Sequence, residues 1–280
     1  TLQIAGTFAS SDSRITALKR PENLPKGANV CRNYGLLKAS GEYVIFLDAD
    51  DLLIPNALKR RVALFEINPD YQALVFSTRV VSYSLEEKNI LNNDPEDVTD
   101  MDAYAHMFMR YEIPWQITGP IWKRDTLKVF GGFNTTFQRF QDVEFHTRLL
   151  LKGVKVLRVF EADFLYRSGP EGTSKYLDSS FIKKALKAIL RYVDTFAKPL
   201  ENSTITTKQR KDSLRVMMLK TYTNFILKKE FYGNLEGFLK TARRTQLFSF
   251  KECYKLWILY IMTKHKLYQI KGVGMYRYYA

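Results

Sequence analysis

The chain predicts an α/β sandwich with a largely parallel sheet over residues 1–178, followed by a basic helical region over 179–280. Three observations carry that expectation. Apolar runs too short for helices, such as Tyr43–Leu47 and Ala73–Tyr83, alternate with stretches of helical spacing up to about residue 168. The run at 43–47 is continuous rather than alternating, as in a strand covered on both faces. Beyond about residue 179 the apolar spacing is helical alone, which predicts a helical appendage and no second sheet.

In chain order, Ile15–Leu18 reads as a short strand leading into a Pro/Asn loop at 21–25. Ala28–Ser40 reads as a helix stopped by Gly41, and Tyr43–Leu47 as a buried strand. An acidic turn, Asp48-Ala49-Asp50-Asp51, precedes a helix at about Asn56–Glu66 whose Leu58, Val62 and Phe65 share a face. Ala73–Tyr83 is the next strand, and the acidic, Asn/Pro-rich stretch Leu85–Asp102 a surface loop. Residues 103–111 look helical, 114–122 run through an aromatic-rich loop into a short strand, and Gly131-Gly132-Phe133 is a turn. A helix over Val143–Lys152 sits between Asp142 and Gly153, with strand character at 154–160 and again at Phe164-Leu165-Tyr166. The appendage holds one helix carrying Phe181, Leu186, Ile189, Val193 and Phe196 and ended by Pro199, and a second over about Thr207–Phe231. A third is opened by the capping-box pair Ser249 and Glu252.

The net charge of +14 is unevenly placed. Residues 1–180 hold 22 Lys and Arg against 23 Asp and Glu, whereas residues 181–280 hold 21 against 6. A neutral body with a basic C-terminal region points to an anionic partner, a membrane surface or nucleic acid. No nucleic-acid recognition motif is visible, so nucleic acid is not expected. Cys31 and Cys253 match no metal spacing and suggest no disulfide framework, in keeping with a reducing, cytoplasmic setting. No signal-peptide-like leader opens the chain, and its longest apolar stretch, Leu256–Met262, is far below the roughly 20 residues of a membrane span.

The acidic turn is the strongest chemical signal. In open α/β sheets ligands bind beyond the carboxyl ends of strands, and three clustered carboxylates repel one another unless a cation sits among them. Hard oxygen donors suit Mg²⁺ or Mn²⁺ together with substrate phosphates, so a metal–phosphate site is expected; N-capping of the following helix is the plainer alternative. Gly27 allows close backbone approach at a helix start, and Arg32 adds a cation suited to phosphate; a simple turn and a solvated arginine are the bland equivalents. Asp142 serves either as a helix N-cap or as a general base. Trp115, Gln116 and Trp122 either line a sugar-binding face or belong to the core. An aspartate-nucleophile phosphatase of the haloacid dehalogenase type also places Asp-x-Asp after a buried strand, but Leu52 stands where it wants Thr or Val.

Taken together, three segments resemble family 2 of the inverting glycosyltransferases with the GT-A fold, of the bacterial polysaccharide-biosynthesis type. They are Lys26-Gly27-Ala28-Asn29-Val30-Cys31-Arg32-Asn33-Tyr34-Gly35 with Ala39-Ser40-Gly41-Glu42-Tyr43, then Phe46-Leu47-Asp48-Ala49-Asp50-Asp51, and then Gly119-Pro120-Ile121-Trp122 through Gly131-Gly132-Phe133 to Gln141-Asp142 and Arg148. The likeness covers about residues 12–168. Cys31 departs from the usual Ala, and Gln141 replaces the Glu of the family's Glu-Asp pair. The resemblance implies donor binding by Gly27, Arg32, Asn33, Asp48 and Arg167, metal ligation by Asp48 and Asp50, Asp142 as the general base, and an acceptor side at Trp115, Gln116, Gly119 and Trp122. Thr173 and Ser174 fall in a loop suited to closing over the donor. The family's chains open with a hydrophobic strand and a second strand ending in a nucleoside-gripping acidic turn, and neither is found before residue 12, so further residues are expected in the complete protein.

The expected activity is therefore hexosyl or N-acetylhexosaminyl transfer, dependent on Mn²⁺ or Mg²⁺, from a nucleotide-diphosphate sugar, UDP-linked, to a saccharide or lipid-linked acceptor. A catalytically silent sugar-binding homologue is the alternative that Gln141 supports. The basic helices, with Tyr254, Trp257, Tyr260 and Tyr268, either rest on an anionic membrane surface or solvate a helical cap.

Overall fold

The computed structural model describes residues 2–82, 84–85, 100–167, 179–227 and 232–267. The elements are α1 (Leu2–Ser11), α2 (Ala28–Lys38), β1 (Tyr43–Ile45), β2 (Leu52–Leu53), α3 (Ala57–Ile67), β3 (Ala73–Val81), α4 (Met101–Met109), β4 (Pro120–Lys123), α5 (Arg124–Phe130), α6 (Gln141–Leu151) and β5 (Val156–Arg167). Then follow α7 (Ser179–Phe196), α8 (Thr207–Thr221) with a π-helical extension (Tyr222–Leu227), a 3₁₀ turn (Tyr232–Asn234), α9 (Leu235–Arg244) and α10 (Phe250–Lys264).

The sheet runs in the order β1-β4-β3-β5-β2. Only β3 and β5 pair in parallel; β1–β4, β3–β4 and β2–β5 are antiparallel. The largely parallel sheet expected from the apolar runs is thus corrected to a mixed one. Continuous apolar runs record burial on both faces, and burial does not fix strand direction. Strand β3 has its first four residues fully buried, whereas β1 is half-buried throughout and lies at the sheet's edge beside β4. Residues 15–18 form no strand, and Ile15 and Leu18 stay exposed. The two runs expected at 154–160 and 164–166 merge into β5, which crosses a register shift opposite Phe76–Thr78. Arg158 lies at that irregularity, donating to Val75 O at 3.0 Å and Ser77 Oγ at 3.3 Å. Helices α5 and α9 were not foreshadowed: α5 is one short continuation of β4, and glycines at 233 and 237 break up the pattern around α9.

One apolar core joins the sheet to the helices. Trp122, Val75 and Val156 of the strands share it with Phe108, Phe145, Tyr192, Met217 and Phe238 from five helices. A smaller cluster of Phe65, Leu74, Phe76 and Ile121 fills the space under α3. Polar seams tie the helices together: Thr147 Oγ1 and Tyr192 OH are 2.6 Å apart between α6 and α7, and His106 Nδ1 and Ser213 Oγ are 2.8 Å apart between α4 and α8. Capping boxes open α8 (Thr206/Gln209) and α10 (Ser249/Glu252), the latter as expected.

His146 occupies the centre of this core. Its ring lies among Phe108 at 5.3 Å, Phe145 at 5.3 Å, Trp115 at 5.7 Å and Trp122 at 6.0 Å, and neither ring nitrogen has a hydrogen-bond partner. Burial, with a smaller push from the Arg148 charge, lowers its pKa from 6.5 to about 3. The unfolded chain therefore takes up a proton at this residue between those values while the folded chain does not, and stability falls with pH by about 1.4 kcal/mol per unit below pH 6.5 from this group. The variant His146→Phe keeps an aromatic ring there without that liability. Its unfolding free energy, measured by urea titration at pH 7 and pH 5, should drop less between the two pH values than the wild type's, by about 2 kcal/mol; equal drops contradict the neutral, boxed imidazole.

Candidate active site

The acidic turn is placed from two sides. Phe46, the first residue beyond β1, is buried edge-on against Phe133 at 4.9 Å and Phe145 at 6.1 Å, which anchors the chain where it leaves the sheet. The Asp51 amide donates to Asp48 O at 3.0 Å and closes the turn. The three carboxylates then take different environments. Asp50 is exposed, Asp48 is half-buried and paired with Arg32, and Asp51 is buried. The expected three-way convergence on one cation is thus not seen: direction and separate partners relieve the repulsion.

Asp51 faces inward. Thr118 Oγ1 donates to Asp51 Oδ2 at 2.6 Å, while Oδ1 is buried without a partner. Burial raises its pKa to about 6; the Thr118 hydroxyl opposes that shift, and the Asp48 and Asp50 charges add to it. Beneath Thr118 lies the most deeply buried ion pair among the described residues. Arg61 of α3 meets Asp163 of β5 in a two-pronged contact, Nε to Oδ2 and Nη2 to Oδ1, each 2.6 Å, with both side chains fully buried. Its remaining Nη1 donates to Thr118 O at 3.2 Å, and its plane lies 4.7 Å from the Phe76 ring. From the far end of β5, Arg167 Nε donates to Asp50 O.

The helix start at residues 141–142 meets this turn through Arg32. One guanidinium nitrogen is bonded to Asp48 Oδ1 and the other donates to Gln141 Oε1 at 3.2 Å. Asp142 is the second residue of α6, and the cap position is Phe140, which makes no side-chain cap. The N-cap reading of Asp142 is thereby corrected. The amides of Val143 and of Asp142 itself lie near its carboxyl and favour the charged form. Burial is the largest influence and raises its pKa; those amides and Arg32 act against it, and Asp48 adds to it. The two carboxylates are thus near enough to feel one another. Phe140 carries φ 63°, a left-handed conformation that is strained for an aromatic residue, and its ring is held by stacking on Tyr111 at 5.1 Å and by Tyr192 at 5.6 Å.

Several expected ligand residues are committed elsewhere. Asn33 brackets the Phe133 backbone, donating to its O and accepting from its N, both at 2.8 Å, so its amide is not free for a donor. A Cβ on Gly132 would collide with that same Asn33 oxygen. Gly27 is needed for packing: a Cβ there would lie 2.6 Å from Asn29 Oδ1, while Asn29 Nδ2 donates to Asn134 O at 3.0 Å and Phe137 O at 2.8 Å. Trp115 and Trp122 are core residues, 2% and 1% exposed, which corrects the sugar-platform reading. Their flat apolar area is worth more inside than on a cleft wall. Gly119 is a close-approach position, where a Cβ would meet Phe76 O at 3.1 Å. Gln116 is half-buried with Oε1 unpartnered, beside the Thr118 segment. Thr173, Ser174 and Tyr268 lie outside the described residues.

The family model for glycosyl transferase family 2 matches residues 1–143. The chain belongs to that family. It is 36% identical over 110 residues to the uncharacterized glycosyltransferase MJ1057 of Methanocaldococcus jannaschii, a span of 39% of this chain and 36% of that protein. Over 192 residues it is 27% identical to the minor teichoic acid biosynthesis protein GgaA of Bacillus subtilis, covering 67% of this chain and 42% of the relative. The chain therefore spans less than half the length of these two relatives. Among solved structures, S. aureus TarS superposes with a TM-score of 0.61 at 16% identity over 95% of this chain and 45% of that one. The 1–349 form of TarS in complex with UDP-GlcNAc gives 0.59 at 16% identity, over 95% and 75%. The likeness is one of fold, the GT-A fold expected from the sequence.

Sequence reasoning missed the supports of this family 2 site. Thr118, Arg61 and Asp163 support the acidic turn and Asn29 ties the start of α2 to the 134–137 loop, and of these only Asn29 falls within a recognised segment. Arg148 was noted without a role: its guanidinium clasps Glu144 Oε1 at 2.8 Å, Phe130 O at 2.8 Å and Gly132 O at 2.6 Å, so α6 pins the glycine turn from one side as Asn33 does from the other. Among the described residues no three His, Cys, Asp or Glu side chains gather as a metal-binding group. Arg61→Met, by stranding Asp163 as an unpaired buried charge, should cost about 3–5 kcal/mol of unfolding free energy in guanidinium titrations. The double variant Arg61→Met/Asp163→Leu should regain much of it, and a single variant as stable as wild type would show that the pair organises nothing.

Proposed function

We propose that this chain forms the donor-binding and catalytic part of a glycosyltransferase that moves a hexose or N-acetylhexosamine from a nucleotide-diphosphate sugar, UDP-linked, with inversion. The observation that carries it is the Arg32 bridge, which sets the acidic turn and the first turn of α6 side by side and leaves Asp142 beside the donor-binding edge. The UDP-GlcNAc complex of TarS, alike in fold, supports a uridine nucleotide, and the name of GgaA supports a polysaccharide setting.

In this reading the Asp142 carboxylate takes the proton of an acceptor hydroxyl as that oxygen bonds the anomeric carbon, while the bond from that carbon to the diphosphate oxygen breaks and the nucleotide leaves. Burial raises its pKa and makes it a stronger base than an ordinary aspartate, while the helix amides and the Arg32 charge act against that shift. Attack from the face opposite the leaving group inverts the centre in one displacement. The half-buried Asp48 and the exposed Asp50 carry hard oxygen donors, the kind that suits Mg²⁺ or Mn²⁺ sharing its shell with donor phosphates. Bound there, the ion would neutralise the charge of the departing diphosphate. Arg167, at the same turn, adds a fixed cation beside that position. The acceptor is proposed to be a saccharide or lipid-linked, brought to the site at an anionic membrane surface.

Release of UDP from a panel of UDP-sugars, assayed with Mn²⁺ and with chelator, tests the reading. Asp142→Asn should lower kcat/KM by about 10²–10⁴-fold while UDP with Mn²⁺ still raises the melting temperature. Unchanged turnover places the base elsewhere. Donor binding without turnover in the wild type supports the silent homologue that Gln141 suggested.

A further inference from the structure

Beyond residue 179, four large apolar side chains are exposed among the described residues: Leu219, Phe250, Tyr254 and Trp257. Three of them stand on α10 at spacings of four and three, so they form one stripe along a single helix face. Phe250 is 70% exposed, Tyr254 55% and Trp257 44%, and the last two stack at 6.0 Å. The helix has an inner face as well, with Cys253, Leu259, Tyr260 and Met262 buried, so the stripe is not a lack of core. Tyr260, expected at an interface, belongs to that inner face, and Phe250 takes its place outside. The stripe borders a cavity of about 680 Å³ between α9 and α10 whose other wall carries Leu239, Lys240 and Arg243. Arg243 lies over the Phe250 ring at 5.3 Å, and Glu236 is the one carboxylate of the lining. Lys251 and Lys255 are exposed on α10 itself, on the flank beside the aromatic stripe.

We infer that this aromatic and basic face of α9 and α10 docks on an anionic lipid bilayer, with the rings at the headgroup–acyl boundary and the cations against lipid phosphates. This deepens the membrane part of the proposed function and names its surface. Charge complementarity selects the occupant: 21 Lys and Arg stand against 6 Asp and Glu in residues 181–280, and each cation near a negatively charged leaflet adds to binding. Cations alone suit any polyanion. The rings beside them expose apolar area that a hydrated polyanion leaves wet, and aromatic side chains with a polar edge favour the interface. No helix among the described residues is long and apolar enough to cross the membrane, and the stripe on one helix face suits a helix lying in the interface plane.

Co-sedimentation of the chain with vesicles tests the face. Vesicles of phosphatidylcholine mixed with phosphatidylglycerol should bind the wild type at least about tenfold more strongly than phosphatidylcholine alone, with binding lost in high salt. Phe250→Ser/Trp257→Ser and, separately, Lys240→Glu/Arg243→Glu should each weaken that binding about tenfold or more, with melting temperature and the shift caused by UDP with Mn²⁺ unchanged. Binding that ignores lipid charge, or that survives both pairs, overturns the inference. So does binding confined to soluble polyphosphate or an oligonucleotide, or a stripe buried in a dimer that the same variants dissociate in sedimentation velocity. A wild type that binds vesicles as expected but shows no UDP shift leaves the docking face standing and removes the transferase reading instead.

Discussion

A buried arginine–carboxylate pair sets where the acidic turn stands. Arg61 and Asp163 are both withdrawn from water, a costly arrangement unless every charged group is answered. Here the fork-to-fork contact answers the carboxylate, the backbone of Thr118 takes a third guanidinium donor, and the Phe76 ring covers its face. The pair joins α3 to β5 and fixes the segment that precedes β4. The Thr118 hydroxyl then carries that placement one step outward to Asp51, and so to the acidic turn. Three aspartates in four positions are tolerated because they are sorted: one is tied inward and biased toward its neutral form, one is paired with Arg32, and one is in water.

The same economy of contacts joins the acidic turn to α2 and α6. Arg32 reaches from α2 to both Asp48 and Gln141, so a single side chain registers three elements against one another. With a neutral Gln141, the guanidinium charge is shared with Asp48 alone among its bonded partners. Helix α6 starts from a left-handed Phe140, whose strain of about 1–3 kcal/mol is held in place by the Tyr111 and Tyr192 rings. That start places the Asp142 carboxyl beside the first amides of its own helix, which with Arg32 oppose the upward pull of burial on its pKa.

What the sequence revealed depended on the range of the interaction involved. The α6 helix, the acidic turn, the capping box at Ser249 and the family likeness are local patterns, and they stood close to where they were expected. Strand direction was not local: β1 pairs with β4 across nearly eighty positions, and nothing in Tyr43–Leu47 encodes that antiparallel choice. Asn33 looked like a ligand because it sits in a donor-binding segment, yet its amide is occupied by a backbone a hundred residues away. Trp115 and Trp122 could equally have lined a cleft, and only the packing of His146 between them decides that they do not. The supports, Arg61, Asp163 and Thr118, carry no motif because their role is defined by three distant segments meeting.

The central claim is that the acidic turn and the first turn of α6 form two walls of one nucleotide-sugar site. Anomalous diffraction from crystals soaked with Mn²⁺ and UDP tests it most directly. The account predicts a manganese peak within carboxylate bonding distance of Asp50 or Asp48, about 2.0–2.3 Å, with the diphosphate beside it on the side facing Asp142. A nucleotide bound with its diphosphate away from that turn, or a manganese ion held elsewhere on the chain, would contradict it.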